Sequence, residues 1–203
     1  MRPAEAYPQR RSIRLRDYDY SSAGAYFVTI CVAHRACLLG EIAGGEMQLS
    51  TLGRIVADSW LALPTRFPTV ELDAFVVMPN HVHAIVALNE PIPAAHHGRV
   101  GAELAPPAAI EPETQTTGDA SIAPTNVSTA ITAPTLGRVV QAFKSRSAIA
   151  CNRVSGQAGM AFWQRSYYDH IIRDAHDLER IRAYVANNPA RWIEDPEYPF
   201  FTR

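Results

Sequence analysis

Hydrophobic and polar positions alternate or recur along this chain with periods that change from one segment to the next. Ala25 to Val32 is a β-branched and aromatic run and predicts a strand. Gly40 to Leu49 adds a small hairpin around Gly44-Gly45. Ser50 or Thr51 then caps a helix on which Leu52, Ile55, Val56, Trp60 and Leu63 recur at three- and four-residue spacing, up to Pro64. Two strands follow, 70–78 and 81–88, joined by a tight turn at Pro79-Asn80.

The pattern then stops. Seven of the fifteen prolines fall between Pro91 and Pro134, among Ala, Thr, Ser and Gly, with few large apolar residues to offset the entropy of ordering them. The expectation is a flexible insertion at about 90–133 inside a single domain of 1–203, since neither flank alone holds a complete core. Beyond it, Leu136, Val139, Val140 and Phe143 form the stripe of a second helix, with Arg138, Lys144 and Arg146 outside it. Residues 162–172 are aromatic and β-branched and predict a strand, and a third helix starts at Asp174 with Leu178, Ile181 and Val185 as its apolar stripe. The order β-α-β-β-α-β predicts an α+β, ferredoxin-like split βαβ fold: an antiparallel sheet with two helices on one face, the other face left for function, and the third helix added at the C-terminal end.

Composition narrows the class. With 47% hydrophobic residues in 203, the chain can bury a core, and no window approaches the roughly 18 apolar residues of a membrane span. A cytoplasmic protein with no membrane partner is expected. Cys31, Cys37 and Cys151 lack paired metal-site spacing and are expected as reduced interior thiols. The formal charge of −1 is unevenly spread: residues 90–133 hold one arginine against five acids, a net of −4, which leaves +3 elsewhere. Lys144 is the only lysine, and planar guanidinium groups suit phosphate oxygens.

Candidate chemistry lies in two segments. His81 and His83, two residues apart on a strand, point the same way and make half a metal site; Mg²⁺ or Mn²⁺ would need further oxygen donors. On the third helix, Tyr184 and Asn188 lie one turn apart on the edge of the stripe, and Asp177 lies further up. Together these predict a metal-assisted attack by tyrosine on a phosphodiester, a tyrosine hydroxyl being a poor nucleophile unaided at its ordinary pKa of about 10.

Four ordered blocks, Pro79-Asn-His-Val-His83, Leu136-Gly-Arg-Val-Val-Gln-Ala-Phe-Lys-Ser145, Phe162-Trp-Gln-Arg-Ser-Tyr-Tyr-Asp-His-Ile-Ile-Arg173 and Tyr184-Val-Ala-Asn-Asn-Pro189, resemble the REP-associated tyrosine transposases, in the single-tyrosine branch of the HUH endonucleases. The resemblance implies that His81 and His83 are metal ligands, Asn188 the third ligand and Tyr184 the nucleophile. It implies a single-stranded DNA endonuclease and transposase that nicks and rejoins DNA next to hairpin repeats through a 5′-phosphotyrosine link, with Mg²⁺ or Mn²⁺, as monomer or homodimer. Arg14, Arg16, Arg146, Arg165 and Arg173 are the arginines expected to meet DNA, and Trp163, Tyr167 and Tyr168 the aromatics that could stack on bases. Tyr167 and Tyr168 also rival Tyr184 as nucleophile. Two other functions fit the same residues: a non-catalytic binder of DNA hairpins, and a metal-dependent hydrolase that uses water. The long insertion departs from the family pattern.

Overall fold

The computed structural model describes residues 18–90 and 133–198. Arg14, Arg16 and nearly all of the expected insertion lie outside the described residues. Among the described residues six strands form: β1 (Gly24–Cys31), β2 (Gly40–Ala43), β3 (Glu46–Leu49), β4 (Val70–Val77), β5 (His81–Leu88) and β6 (Tyr168–Ile172). The helices are α1 (Thr51–Leu61), the short α2 (Leu63–Arg66), α3 (Leu136–Ser155) and α4 (Ala175–Asn187), with 3₁₀ turns at Ala33–Arg35 and Pro189–Glu194. Four strands make an antiparallel sheet in the order β4-β5-β1-β6, and β2-β3 is a separate hairpin. This is the expected ferredoxin-like α+β arrangement.

The two faces of the sheet are both covered, which is why β1 and β5 read as nearly continuous apolar runs. Tyr26, Val28 and Ile30 of β1 and Val82, Ala84, Val86 and Leu88 of β5 join Val56 and Trp60 of α1 and Leu136, Val139, Val140 and Phe143 of α3 in one core. Trp60 and Phe143 meet edge to face at 5.1 Å between centroids. The alternate residues, Phe27 and Ile85, face the other way and pack against Ile181 and Val185 of α4.

Local signals set most boundaries. The Ser50 side chain accepts from Gly53 N at 3.0 Å and caps α1. A Cβ on Gly53 would run into the carbonyl of Leu39, so this helix can lie so close to the chain before β2 only with glycine there. Gly44 and Gly45 take φ of 63° and 81° in the hairpin turn, a left-handed pair that glycine adopts without strain. α3 ends on Gly156, also left-handed at φ 68°.

Two expectations are corrected. The strand expected over 162–172 is regular only from Tyr168. Phe162 and Trp163 are both buried in the same core, which breaks the alternation a strand requires, and the segment keeps a single bridge, Val32 to Trp163. Of the cysteines, Cys31 and Cys151 are buried and Cys37 is exposed.

Candidate metal and tyrosine site

β5 begins immediately after the Pro79-Asn80 turn, which Met78 N closes by donating to His81 O at 2.8 Å. His81 and His83 therefore stand at the start of a central strand, on the face that α4 covers, with ring centroids 4.3 Å apart. Both are buried. Thr29, opposite His83 on β1, places Oγ1 2.8 Å from His83 Nδ1, and Phe27 stacks on the His83 ring. Two side chains thus fix this imidazole.

His81 is fixed by Asn80 in a way that also sets its proton. Asn80 Nδ2 donates to the carbonyls of Arg35 and Glu197, at 3.2 and 2.8 Å. Carbonyls only accept, so the amide is oriented and its Oδ1 faces His81 Nδ1 at 2.8 Å. Nδ1 therefore carries the hydrogen, and the Nε2 lone pair of neutral His81 points into the site. Burial, and then the neighbouring His83, hold the His81 pKa well below 6.5. His34 and Arg35 take left-handed φ of 57° and 56°, an uncommon choice for residues with a Cβ, and this turn delivers the Arg35 carbonyl to Asn80.

Sequence reasoning missed Asp195, the carboxylate that joins the two histidines as a candidate metal donor. It follows the 3₁₀ turn that continues α4, and its Oδ2 lies 3.5 Å from His83 Nε2 and 3.9 Å from His81 Nε2. Its Oδ1 accepts from Glu197 N at 2.7 Å, which aims the other oxygen at the histidines. Arg35 pairs with Glu197 at 2.8 Å and ties this segment to the end of β1. Burial works against the Asp195 carboxylate, but the His83 contact and the Glu197 amide hold its pKa below the ordinary 3.8.

Donor atoms of His81, His83 and Asp195 all lie within 4.8 Å of one another. Among the described residues four buried side-chain polar atoms have no hydrogen-bond partner, and two of them are here: His81 Nε2 and Asn188 Oδ1. A lone pair and a carboxylate facing each other in a buried place repel unless a proton or cation lies between them. Two imidazoles, a carboxylate and an amide oxygen make a donor set that suits a divalent cation. The residues present fit a metal.

α4 brings Tyr184 to this centre. Asp174 caps the helix by accepting from Asp177 N at 2.8 Å, and Ile181 and Val185 bury the stripe that faces the sheet. Tyr184 stays at the edge of that stripe, 40% exposed. Its hydroxyl lies 3.2 Å from His83 Nε2 and donates to Asp195 Oδ2 at 3.4 Å. Burial and then the Asp195 charge push its pKa up to about 12, against which the Asn188 side chain acts. Asn188 ends α4 and is 3% exposed. Arg182 of α4 pairs with Asp73, at the irregularity in β4, and so pins the helix to the far edge of the sheet.

The remaining expected residues are dispersed. Tyr167 packs against the core on the opposite face of the sheet. Trp163 is buried, donating Nε1 to Ser147 Oγ at 3.0 Å, so it offers no stacking surface. Arg146 is exposed on α3, which covers the face away from Tyr184. Arg165 lines a cavity with Lys144 and Trp163 beside that same helix, and Arg173 is exposed just past β6. Lys144 is held by the carbonyls of Gln164 and Arg165 at 2.6 and 3.0 Å. Asp177 bonds His170 and Arg180. No helix among the described residues is long and apolar enough to cross a membrane.

No family model matches the sequence. A Haemophilus influenzae protein described as uncharacterized is 36% identical over 189 residues, 93% of this chain and 93% of that protein. Among solved structures, a REP-associated tyrosine transposase bound to a REP hairpin is similar with a TM-score of 0.50 at 19% identity, over 90% of this chain and 74% of that one. The chain belongs to one family with the Haemophilus influenzae protein, and its fold is that of the REP-associated tyrosine transposase whose kind its motifs resemble.

Proposed function

We propose that this protein is a metal-dependent single-stranded DNA endonuclease and transposase of the HUH type, which nicks and rejoins DNA near hairpin repeats with Tyr184 as nucleophile. The observation that carries this reading is the Tyr184 hydroxyl within hydrogen-bond reach of His83 and Asp195, beside the unpartnered His81 Nε2. Water-based hydrolysis would leave a tyrosine at this position with no task.

His81, His83 and Asp195 would hold Mg²⁺ or Mn²⁺, with Asn188 Oδ1 as a further donor. A bound cation supplies charge stabilisation to a phosphodiester oxygen in the transition state. The chain's own residues do the rest. Tyr184 Oη forms a bond to phosphorus, and the bond from phosphorus to the 3′-oxygen breaks. The hydroxyl proton is lost to solvent, and the departing 3′-oxygen takes one up. The product is a 5′-phosphotyrosine link and a free 3′-hydroxyl; no water is consumed, so attack by a 3′-hydroxyl rejoins the strand. Asn80, Thr29 and Phe27 keep the imidazoles aimed throughout.

The test incubates the protein with labelled single-stranded DNA carrying repeat hairpins, plus Mn²⁺, and looks for a denaturation-resistant adduct. Wild type should form one and Tyr184→Phe none. Cleavage by both without an adduct would establish hydrolysis, and tight binding with neither cleavage nor adduct would establish a DNA-binding protein without turnover.

A further inference from the structure

A groove of about 400 Å³ opens beside Tyr184, lined by Phe27, Tyr168, His170 and Arg180 as well as by His83 and Asp195. The strand register explains why these side chains meet. Thr29 is opposite both His83 and Tyr168, and Phe27 is opposite both Ile85 and His170, so two rows run straight across three strands on one face. Tyr168 and His170 thus extend the metal face by one strand, onto β6. The mechanism above uses neither.

Tyr168 is 39% exposed, lines the groove, and meets Phe27 in a T-shaped contact at 6.4 Å between centroids rather than in a stack. Arg180 precedes Tyr184 by four residues of α4, about 6 Å along the axis. Its side chain is 62% exposed, yet it is held: Asp177 Oδ1 accepts from Arg180 Nη2 while Asp177 Oδ2 meets His170 Nε2 at 2.8 Å. One carboxylate therefore joins the helix to β6 and fixes the guanidinium on the rim of the groove, with its remaining N–H groups free for an acceptor. An aromatic face with an arginine beside it is the combination that binds an unstacked base and its phosphate. A base within a duplex has no face to offer Tyr168, so the occupant is a single strand.

We propose that this groove is a subsite for one unpaired DNA nucleotide next to the scissile phosphate, with Tyr168 stacking on the base and Arg180, positioned by Asp177, contacting the phosphate. The placement relative to the scissile bond rests on Tyr184 being the nucleophile; the subsite itself is read by binding alone. The experiment uses the Tyr184→Phe protein, which binds without reacting, and titrates labelled oligothymidylate and an abasic oligomer of equal length. Arg180→Gln should weaken both about fivefold and lower the slope of log affinity against log salt by about 0.7, the value of one single-strand phosphate contact. Tyr168→Leu should weaken the oligothymidylate about tenfold and leave the abasic oligomer within twofold, and Tyr168→Phe should restore binding. Equal effects of Tyr168→Leu on the two probes, no effect on either, or an unchanged salt slope in Arg180→Gln would overturn the proposal. Absence of an adduct with wild type would instead sink the tyrosine mechanism, a separate result.

Discussion

The two faces of the central sheet are built from the same strands and do opposite work. On the face under α1 and α3, buried apolar side chains from β1, β4, β5, α1 and α3 interdigitate, from Tyr26 and Val86 to Trp60 and Phe143. On the face under α4, four buried apolar residues, Phe27, Ile85, Ile181 and Val185, share the space with buried His81, His83, Asn188 and Asp195. Apolar burial stabilises by roughly 25 cal/mol per Å², whereas a buried polar atom without a partner costs about 1–3 kcal/mol. The first face stabilises the protein, and the second gives up stability to hold a set of donors aimed at one place.

The largest expected effect is therefore on the face without chemistry. Phe143→Ala empties a site between Trp60 and Trp163 and should cost about 3–5 kcal/mol in urea unfolding. His81→Leu, on the other face, removes an unpartnered lone pair and fills similar volume with carbon. It also takes from buried Asn80 Oδ1 the Nδ1–H it accepts, so in chelator the two effects should offset to a change of at most about 1 kcal/mol. Loss of several kcal/mol by this variant in chelator would show that the histidine is structural and would erase the contrast between the faces.

Metal should narrow that difference. An ion that binds only the folded protein stabilises it by about 2.7 kcal/mol when present at a hundred times its dissociation constant. Wild type should gain thermal stability with Mn²⁺, and His81→Leu and Asp195→Asn should lose most of that gain. An equal shift in all three proteins would place the ion elsewhere.

The faces also differed in how well they could be read from sequence. The stripe Leu136, Val139, Val140, Phe143 and the run of β1 state their periods openly, and so does the alternate spacing of His81 and His83. Asp195 carries no such mark: it sits among Glu194, Pro196 and Glu197, where a solvated acid is the ordinary expectation. Its burial is decided by Asn80 and Arg35, more than a hundred residues earlier, which hold the backbone and side chain of Glu197. The place of Arg146, on the face away from Tyr184, was hidden for a related reason. Its helix could be read, but which side of the sheet that helix covers, and hence its distance from Tyr184, depends on strand order. Tyr167 and Tyr168 are adjacent in sequence and fall on opposite faces, a division that the register of β6 imposes.

The smallest effect is on acid stability of the metal-free protein, and it separates two of the buried ionisable groups, His81 and Asp195, by pH. His81 has a folded pKa below its ordinary 6.5, so its neutral form is favoured by folding: the stability this represents is complete above pH 6.5 and is lost as pH falls below it. Asp195 is also depressed, below 3.8, so its contribution is complete above that value and is lost only as pH falls further, through its folded pKa. Stability in chelator should then decline in two limbs, the upper one with a slope of at most about 1.4 kcal/mol per pH unit, the limit for a single proton. His81→Leu should abolish the upper limb and keep the lower, and Asp195→Asn should shrink the lower, to which Asp73 and Asp177 also contribute. The apolar face supplies the control, because Phe143→Ala lowers the whole curve without changing its shape. A wild-type curve flat from pH 7 to pH 4.5 in chelator would mean that His81 accepts a proton in place as readily as in water, and the lone pair aimed into the site would lose its energetic signature.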